Sequence, residues 1–118
     1  MQRSGSPNAN VAKFALVMAL LATMQVAARA GDVKAGAALA AKCEACHGLD
    51  GLSKIAEAPN IAGQNPMYML EQLQAFQSGA RENAMMSIVV KDLTASDIDN
   101  LIAYYSSIPV TVGKLPGD

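Results

Sequence analysis

The residues best suited to chemistry form one short run, Cys43-Glu44-Ala45-Cys46-His47, which holds both cysteines and the single histidine of the chain. Two thiols separated by two residues can reach the two vinyl groups on one edge of a porphyrin and form thioether bonds. An imidazole directly after the second thiol then lies beneath the iron and can bind it as the proximal ligand. The run therefore predicts one covalently attached haem c, with Cys43 and Cys46 binding the porphyrin and His47 binding the iron.

Three other uses of this run agree less well with the sequence. A structural disulfide would give no reason for the adjacent histidine. A dithiol redox motif requires a strand–helix–strand context, and no strand pattern is evident. A closed zinc site needs a fourth ligand, and the chain contains no further cysteine or histidine. The single imidazole also excludes catalysis or metal binding that needs two.

The second axial ligand must come from a distant segment, because it approaches the iron from the face opposite His47. Four methionines follow residue 30, namely Met67, Met69, Met85 and Met86. Met67 and Met69 fall in a stretch of helical spacing, where a methionine usually fills the core. Met85 and Met86 fall in a predicted loop that can present a thioether to the iron. The residues alone therefore leave these two methionines as candidates.

Residues 1–30 have the pattern of an export signal. A basic start precedes an apolar run at 14–24, and Ala28-Arg29-Ala30 places small residues where an A-x-A cleavage site requires them. The apolar run is shorter than the about 20 residues of a membrane span, which disfavours a retained anchor. We therefore predict a signal peptide at 1–30, cleaved after Ala30, and a haem-binding domain at 31–118 in the periplasm.

Composition limits the partners of the exported domain. The whole chain of 118 residues has a formal net charge of −1 and no tryptophan, whereas residues 31–118 carry six basic and ten acidic side chains. An acidic surface disfavours nucleic acids and anionic membranes as partners. So short a domain builds only a thin core from its own side chains. A large, flat and mostly apolar haem would fill the centre.

The exported domain is predicted to contain three helices. The first follows an N-cap at Asp32 and runs into Cys43. The second begins at Asn65-Pro66 and stops at Gly79. The third follows a capping box that begins at Thr94, and Pro109 ends it.

The third predicted helix has the clearest apolar face. Its apolar residues recur at the spacing of one helical side, and they are Ile98, Leu101, Ile102 and Tyr105. The connections at 48–64 and 79–93 have loop composition, the second with a short helical turn near 87–91. We expect both loops to wall a haem crevice.

The sequence resembles the small bacterial class I cytochromes c, of the cytochrome c-553-like group, and one half of the diheme cytochromes c. The resemblance covers residues 31–108. The haem motif is highly specific for c-type cytochromes, and the remaining matching segments give moderate support for this subgroup. The matching positions are Gly36 with Leu39, 43–51, 59–64, Tyr68, Gln72-Leu73, 79–81, 86–88, 93–98 and Tyr104-Tyr105.

This resemblance implies an all-α, class I cytochrome c fold, with three main helices and loops wrapped around one covalently bound haem. The family pattern places the axial methionine seven residues before Leu93, at Met86, with Met85 as the second choice. It also implies that the Pro59 carbonyl accepts a hydrogen bond from His47 and fixes the orientation of the ring.

The resemblance further implies roles for residues outside the haem motif. Gly36 would let the first helix approach the last one closely, near Leu101 and Tyr104 or Tyr105. We interpret the two tyrosines as packing residues. Arg81 would either approach a haem propionate or lie on the surface.

Together these features predict a periplasmic electron carrier with one His/Met-ligated haem c and no catalytic residues. Its partners would be redox proteins, such as a respiratory complex, a terminal oxidase or a periplasmic dehydrogenase. No nucleic acid and no stable membrane span after signal cleavage are expected. Two alternatives stay open: a cytochrome subunit held in a periplasmic dehydrogenase complex, and a haem-based gas or redox sensor with an open sixth position.

Overall fold

The computed structural model describes residues 30–117, so residues 1–29 of the predicted signal peptide lie outside the described range. Within this range the chain forms helices and loops and contains no strand. The helices are α1 Val33–Leu39, α2 Glu44–His47, α3 Pro66–Ser78, α4 Met86–Val89 and α5 Ala95–Ser106. The predicted all-α class is confirmed, and none of these five helices combines the length and apolarity that crossing a membrane requires.

The helix starts occur where the capping residues predict them. The Asn65 side chain accepts hydrogen bonds from the backbone N–H groups of Met67 and Tyr68, at 2.9 and 3.1 Å. At the start of α5, Thr94 Oγ1 accepts from Asp97 N, and an Asp97 carboxylate oxygen accepts from Thr94 N at 2.9 Å. These bonds satisfy N–H groups that have no partner within the helix. The predicted caps are therefore confirmed.

The prediction of the first helix is wrong at its C-terminal end. Instead of running unbroken into Cys43, α1 ends at Leu39 and the chain tightens into a 3-10 turn at Ala40–Lys42. Cys43 N donates to Ala40 O at 2.9 Å, a bond to the third residue back that replaces the α-helical bond. The tighter turn separates α1 from α2, the short helix that carries the histidine.

Helix α1 packs against α5 at a point where no side chain fits between them. A Cβ built on Gly36 would lie 2.0 Å from the Asn100 carbonyl oxygen and 2.7 Å from Tyr104 Cβ. The predicted close approach of the first and last helices is confirmed, with Asn100 and Tyr104 as the nearest residues. Because one obstacle is backbone, any larger residue at this position would push the helices apart.

The core lies between α3, α5 and the segment that joins them. All four residues of the predicted α5 face are buried, and Tyr105 is 1% exposed. The remaining buried apolar residues are Ala40, Met69, Phe76, Val90 and Leu93. Several half-buried side chains pack against this cluster, among them Cys43 and Met86. Residues from the haem motif and from the methionine loop thus contact the same core.

Candidate haem site

The haem-motif residues lie at the junction between the 3-10 turn and α2. Cys43 O accepts hydrogen bonds from Cys46 N at 3.3 Å and from His47 N at 2.9 Å, so the three residues share one helical turn. Both cysteines are half-buried, and their sulfurs are not bonded to each other. The helical turn therefore presents two thiols and an imidazole from a single short segment.

His47 is held in one orientation by the loop that follows it. The side chain is 7% exposed, and its Nδ1 lies 2.9 Å from the carbonyl oxygen of Pro59. A carbonyl oxygen only accepts, so Nδ1 carries the proton and Nε2 keeps its lone pair. Within residues 30–117 no hydrogen bond reaches Nε2. The geometry leaves this nitrogen available as a ligand.

The loop that presents Pro59 is itself tied back to the haem motif. The N–H groups of Ile61 and Ala62 both donate to Gly51 O, at 2.8 and 3.0 Å. Lys54 N donates to Cys46 O at 2.8 Å. These backbone bonds close the loop at 48–64 against α2, which keeps the Pro59 carbonyl at the imidazole.

The two adjacent tyrosines of α5 do more than pack. The Tyr105 hydroxyl donates to Gly48 O at 3.0 Å and the Tyr104 hydroxyl donates to Leu49 O at 2.8 Å. Both acceptors directly follow His47, so α5 holds the exit from the motif across more than fifty residues of sequence. The prediction of packing alone was incomplete, because a buried tyrosine hydroxyl requires a hydrogen-bond partner.

Burial governs the ionisation of two groups at this junction. It raises the pKa of Tyr105 well above the ordinary range of a phenol, so the hydroxyl stays a donor. Burial also raises the pKa of the Cys43 thiol, partly opposed by a hydrogen bond with Tyr105. Tyr105 therefore touches both the first cysteine and the residue after the histidine.

The four candidate methionines occupy distinct environments. Met69 is 7% exposed and belongs to the core, as expected, but Met67 is 63% exposed, so its predicted core role is wrong. Met67 lies in the first turn of α3, where its side of the helix faces away from the core. Met86 is half-buried against the core, whereas Met85 is 61% exposed. Of the two loop candidates, Met86 is the one directed inward.

Arg81 follows the end of α3 and folds back onto that helix. Its guanidinium carbon lies 4.6 Å from the centre of the Phe76 ring, and Nη1 donates to Gln72 Oε1 at 2.6 Å. This cation–π contact and hydrogen bond hold the exposed Arg81 side chain against α3.

The donor set of this chain fits a haem c. Two thiols, one imidazole nitrogen with its lone pair and an inward thioether from a separate loop are the groups that such a haem requires. The structure also exposes apolar side chains that a flat, apolar group could cover. Three of them follow the haem motif in the loop, and one lies in the first turn of α3. Each is 41–48% exposed, and they are Leu49, Leu52, Ile55 and Tyr68.

Comparisons with known proteins agree with this arrangement. The model of the cytochrome c family matches residues 33–109. Cytochrome c4 of Pseudomonas aeruginosa is 38% identical over 101 residues, which cover 83% of this chain and 50% of that protein. Cytochrome c-554(548) of Halomonas halodenitrificans is 37% identical over 81 residues, which cover 66% of this chain and 98% of that protein.

A third relative carries a functional name. The thiosulfate dehydrogenase electron acceptor of Thiomonas intermedia is 43% identical over 70 residues, which cover 58% of this chain and 32% of that protein. The chain spans about half the length of its cytochrome c4 relatives and nearly all of cytochrome c-554(548). The family match and the helical architecture lead to one conclusion: this chain belongs to the cytochrome c family, with the class I fold and a covalently bound haem c.

Proposed function

We propose that this protein carries single electrons in the periplasm on one haem c, bound through Cys43 and Cys46 and ligated by His47 and Met86. When bound, the haem iron supplies the redox chemistry by gaining and losing one electron. The observation that carries the proposal is the fixed orientation of the His47 imidazole. The Pro59 carbonyl oxygen lies 2.9 Å from Nδ1 of this ring, which leaves its other nitrogen, Nε2, able to bind a metal.

The residues around this imidazole favour electron transfer over bond-making chemistry. His47 is buried and held by Pro59, so its ring has little freedom to move when the charge of the iron changes. A thioether ligand from Met86 favours the reduced iron and raises the reduction potential. If His47 and Met86 both bind the iron, neither ligand position would be open to a substrate. We therefore propose a carrier and not an enzyme.

The ligand assignment is tested by a matched pair of variants, Met86→Ala and Met85→Ala. Met86→Ala should remove the sulfur-to-iron absorption band at the red end of the oxidised spectrum and lower the reduction potential. Its reduced form should bind carbon monoxide at neutral pH. Met85→Ala should keep the band, since Met85 is largely exposed.

Two results would contradict this assignment. Loss of the band in Met85→Ala alone would transfer the ligand role to Met85. Carbon monoxide binding by the unmodified reduced protein would instead favour a sensor with an open sixth position.

The partner we propose is an oxidoreductase that delivers electrons to this haem. Two relatives are named thiosulfate dehydrogenase electron acceptors, from Thiomonas intermedia and Stutzerimonas stutzeri, which supports a dehydrogenase as the donor class. The excess of acidic residues after position 30 predicts a basic or largely apolar docking patch on the donor. A free carrier should purify alone, whereas co-purification with a catalytic subunit would indicate a subunit of an enzyme complex.

Export is part of the same proposal. Residues 1–30 would be removed as a signal peptide, which leaves the haem domain in the compartment where haem attachment occurs. The N-terminal sequence of the coloured protein should then begin at Gly31. A protein that still begins near Met1 would contradict the proposal.

A further inference from the structure

The methionine segment, residues 83–93, is organised by one side chain at its start. Asn83 Oδ1 accepts hydrogen bonds from Met85 N and Met86 N, both at 3.0 Å. Asn83 also exchanges bonds with Ser87, because its N–H donates to Ser87 Oγ at 3.2 Å and its carbonyl accepts from Ser87 N at 2.9 Å. The backbone on both sides of the methionine Cα is therefore defined by Asn83.

A helix as short as α4 needs such support. It has only four residues, and a single helical turn is unfavourable in isolation because many dihedral angles are fixed for few hydrogen bonds. Its first N–H groups also have no partner within the turn. The Asn83 carboxamide supplies that partner and so favours the helical turn over an open loop.

The far end of the methionine segment is tied to α3 by Gln77. The Nε2 of Gln77 donates to Val90 O and to Leu93 O, both at 2.8 Å. These two carbonyls belong to residues that are 1% and 8% exposed. In the described part of the chain, Gln77 is the only side chain outside the segment that hydrogen-bonds to it.

The space beside these bonds is not filled by side chains. An open cleft lies between the end of α3 and α4, and residues lining it include Phe76, Gln77, Asn83, Ser87 and Lys91. On that side α4 faces the cleft and not other side chains. On this side the hydrogen bonds of Gln77 and Asn83 restrain the segment, in addition to the burial of Val90 and Leu93 in the core.

We propose that Gln77 and Asn83 are positioning residues that hold Met86 at the iron and set how readily another ligand replaces it. Asn83 fixes the backbone N–H of Met86, and Gln77 fixes the chain that leaves α4. Loss of either restraint favours open conformations of the segment in which the thioether is displaced. This inference rests on the proposed His47/Met86 ligation.

The experiment measures imidazole binding to the oxidised holoprotein, because imidazole binds only when the methionine has left. Gln77→Leu and Asn83→Ala should each bind imidazole roughly tenfold more tightly than the parent, since each loses hydrogen bonds only from the closed state. Both should lose the red-end band at a lower pH during alkaline titration. Covalent haem content and far-ultraviolet circular dichroism should stay at the parent level.

Two matched controls separate positioning from a general loss of stability. Asn83→Asp keeps an oxygen that accepts from both N–H groups, so it should restore parent-like imidazole affinity. Gln74→Leu makes the same change on α3 at an exposed glutamine for which no side-chain hydrogen bond occurs within residues 30–117, and it should have no effect. If Gln77→Leu does not accumulate as folded holoprotein, the imidazole affinities of Asn83→Ala and Asn83→Asp test the proposal without it.

Parent-like imidazole affinity in both Gln77→Leu and Asn83→Ala would overturn the proposal. So would an Asn83→Asp variant that binds imidazole as tightly as Asn83→Ala. Failure of the underlying ligation has a different signature, because the red-end band would then persist in Met86→Ala.

Discussion

The two segments proposed to bind the iron are anchored in different ways. The cysteine–histidine segment, residues 43–51, is held by two tyrosine hydroxyls from α5, more than fifty residues away, and by the Pro59 loop that follows it. The methionine segment is held at its start by Asn83 within it, and at its end by one glutamine from α3 and by the burial of Val90 and Leu93 in the core. Opening the first breaks hydrogen bonds to α5, whereas opening the start of the second, around Met86, breaks mainly the local bonds of Asn83.

This difference predicts which of the two proposed ligands leaves the iron first when the protein is destabilised. Segments held by few, mostly local contacts open at a lower free energy than those integrated into the core. We therefore expect the methionine to leave the iron before the histidine under denaturant, heat or alkali.

The largest effect is expected from breaking the anchor of the cysteine–histidine segment. Tyr105→Phe removes the buried hydroxyl that donates to Gly48 O. We expect a loss of about 1.5 kcal/mol in the free energy of unfolding, at the upper end for one hydrogen bond because the site is buried. For a domain of this size that corresponds to a fall of roughly 6–12 °C in Tm. Calorimetry or thermal circular dichroism of the holoprotein measures it.

Tyr104→Phe is the control for this experiment, because its hydroxyl bond is at the surface and its loss should cost less. The red-end band of Tyr105→Phe should match the parent at neutral pH. A variant that loses the band without losing stability would reverse the comparison between the two segments.

A smaller effect is expected at the boundary between the methionine segment and α5. Thr94→Ala removes the N-cap that accepts from Asp97 N. Loss of such a cap costs about 1 kcal/mol, and guanidinium titration should show a lower midpoint with an unchanged slope. Thr94→Ser keeps the hydroxyl and should restore most of the stability. Equal midpoints for Thr94→Ala and the parent would show that α5 does not depend on its cap.

The smallest effect is confined to acid pH. Hydrogen bonds from Thr94 hold the pKa of Asp97 below its ordinary value of 3.8. A depressed pKa in the folded state means that the contribution to stability is present above the ordinary value and is lost as pH falls through the folded value. Stability of the parent should therefore decline below about pH 4, with a shallower decline in Asp97→Asn. Parallel pH profiles would contradict the role of this carboxylate.

Much of the fold follows from local signals in the sequence. The start of α3 is set by Asn65 and Pro66, and Gly79 at its end adopts a φ of +78°, which favours glycine. The capping box and apolar face of α5 are equally local. The wrong predictions occur where one local sequence pattern is compatible with two structures. An alanine-rich stretch can continue as α-helix or tighten to 3-10, and a methionine at helical spacing can face the core or the solvent, as Met67 does.

The haem chemistry could be predicted because it depends on residue types at fixed short spacing. Pro59 was implied by the family resemblance, but the roles of Tyr104, Tyr105 and Gln77 could not be predicted, since their hydrogen-bond partners lie in other segments of the chain. Nothing near Tyr104 or Tyr105 indicates that their hydroxyls bind carbonyls more than fifty residues away. Likewise, the sequence around Gln77 contains no sign that its amide joins two carbonyls of a later loop.

The sequence by itself therefore determined the helix starts, the haem motif and the pair of methionines from which a ligand is drawn. The family resemblance implied Met86 and the Pro59 carbonyl, and the tertiary structure places Met86 against the core and that carbonyl at the imidazole. Only the tertiary structure decided which other side chains restrain each segment. The physical reason is the sequence separation over which each interaction acts. Caps, turns and ligand spacing are set within a few residues, whereas hydrogen bonds between distant segments exist only once the helices have packed.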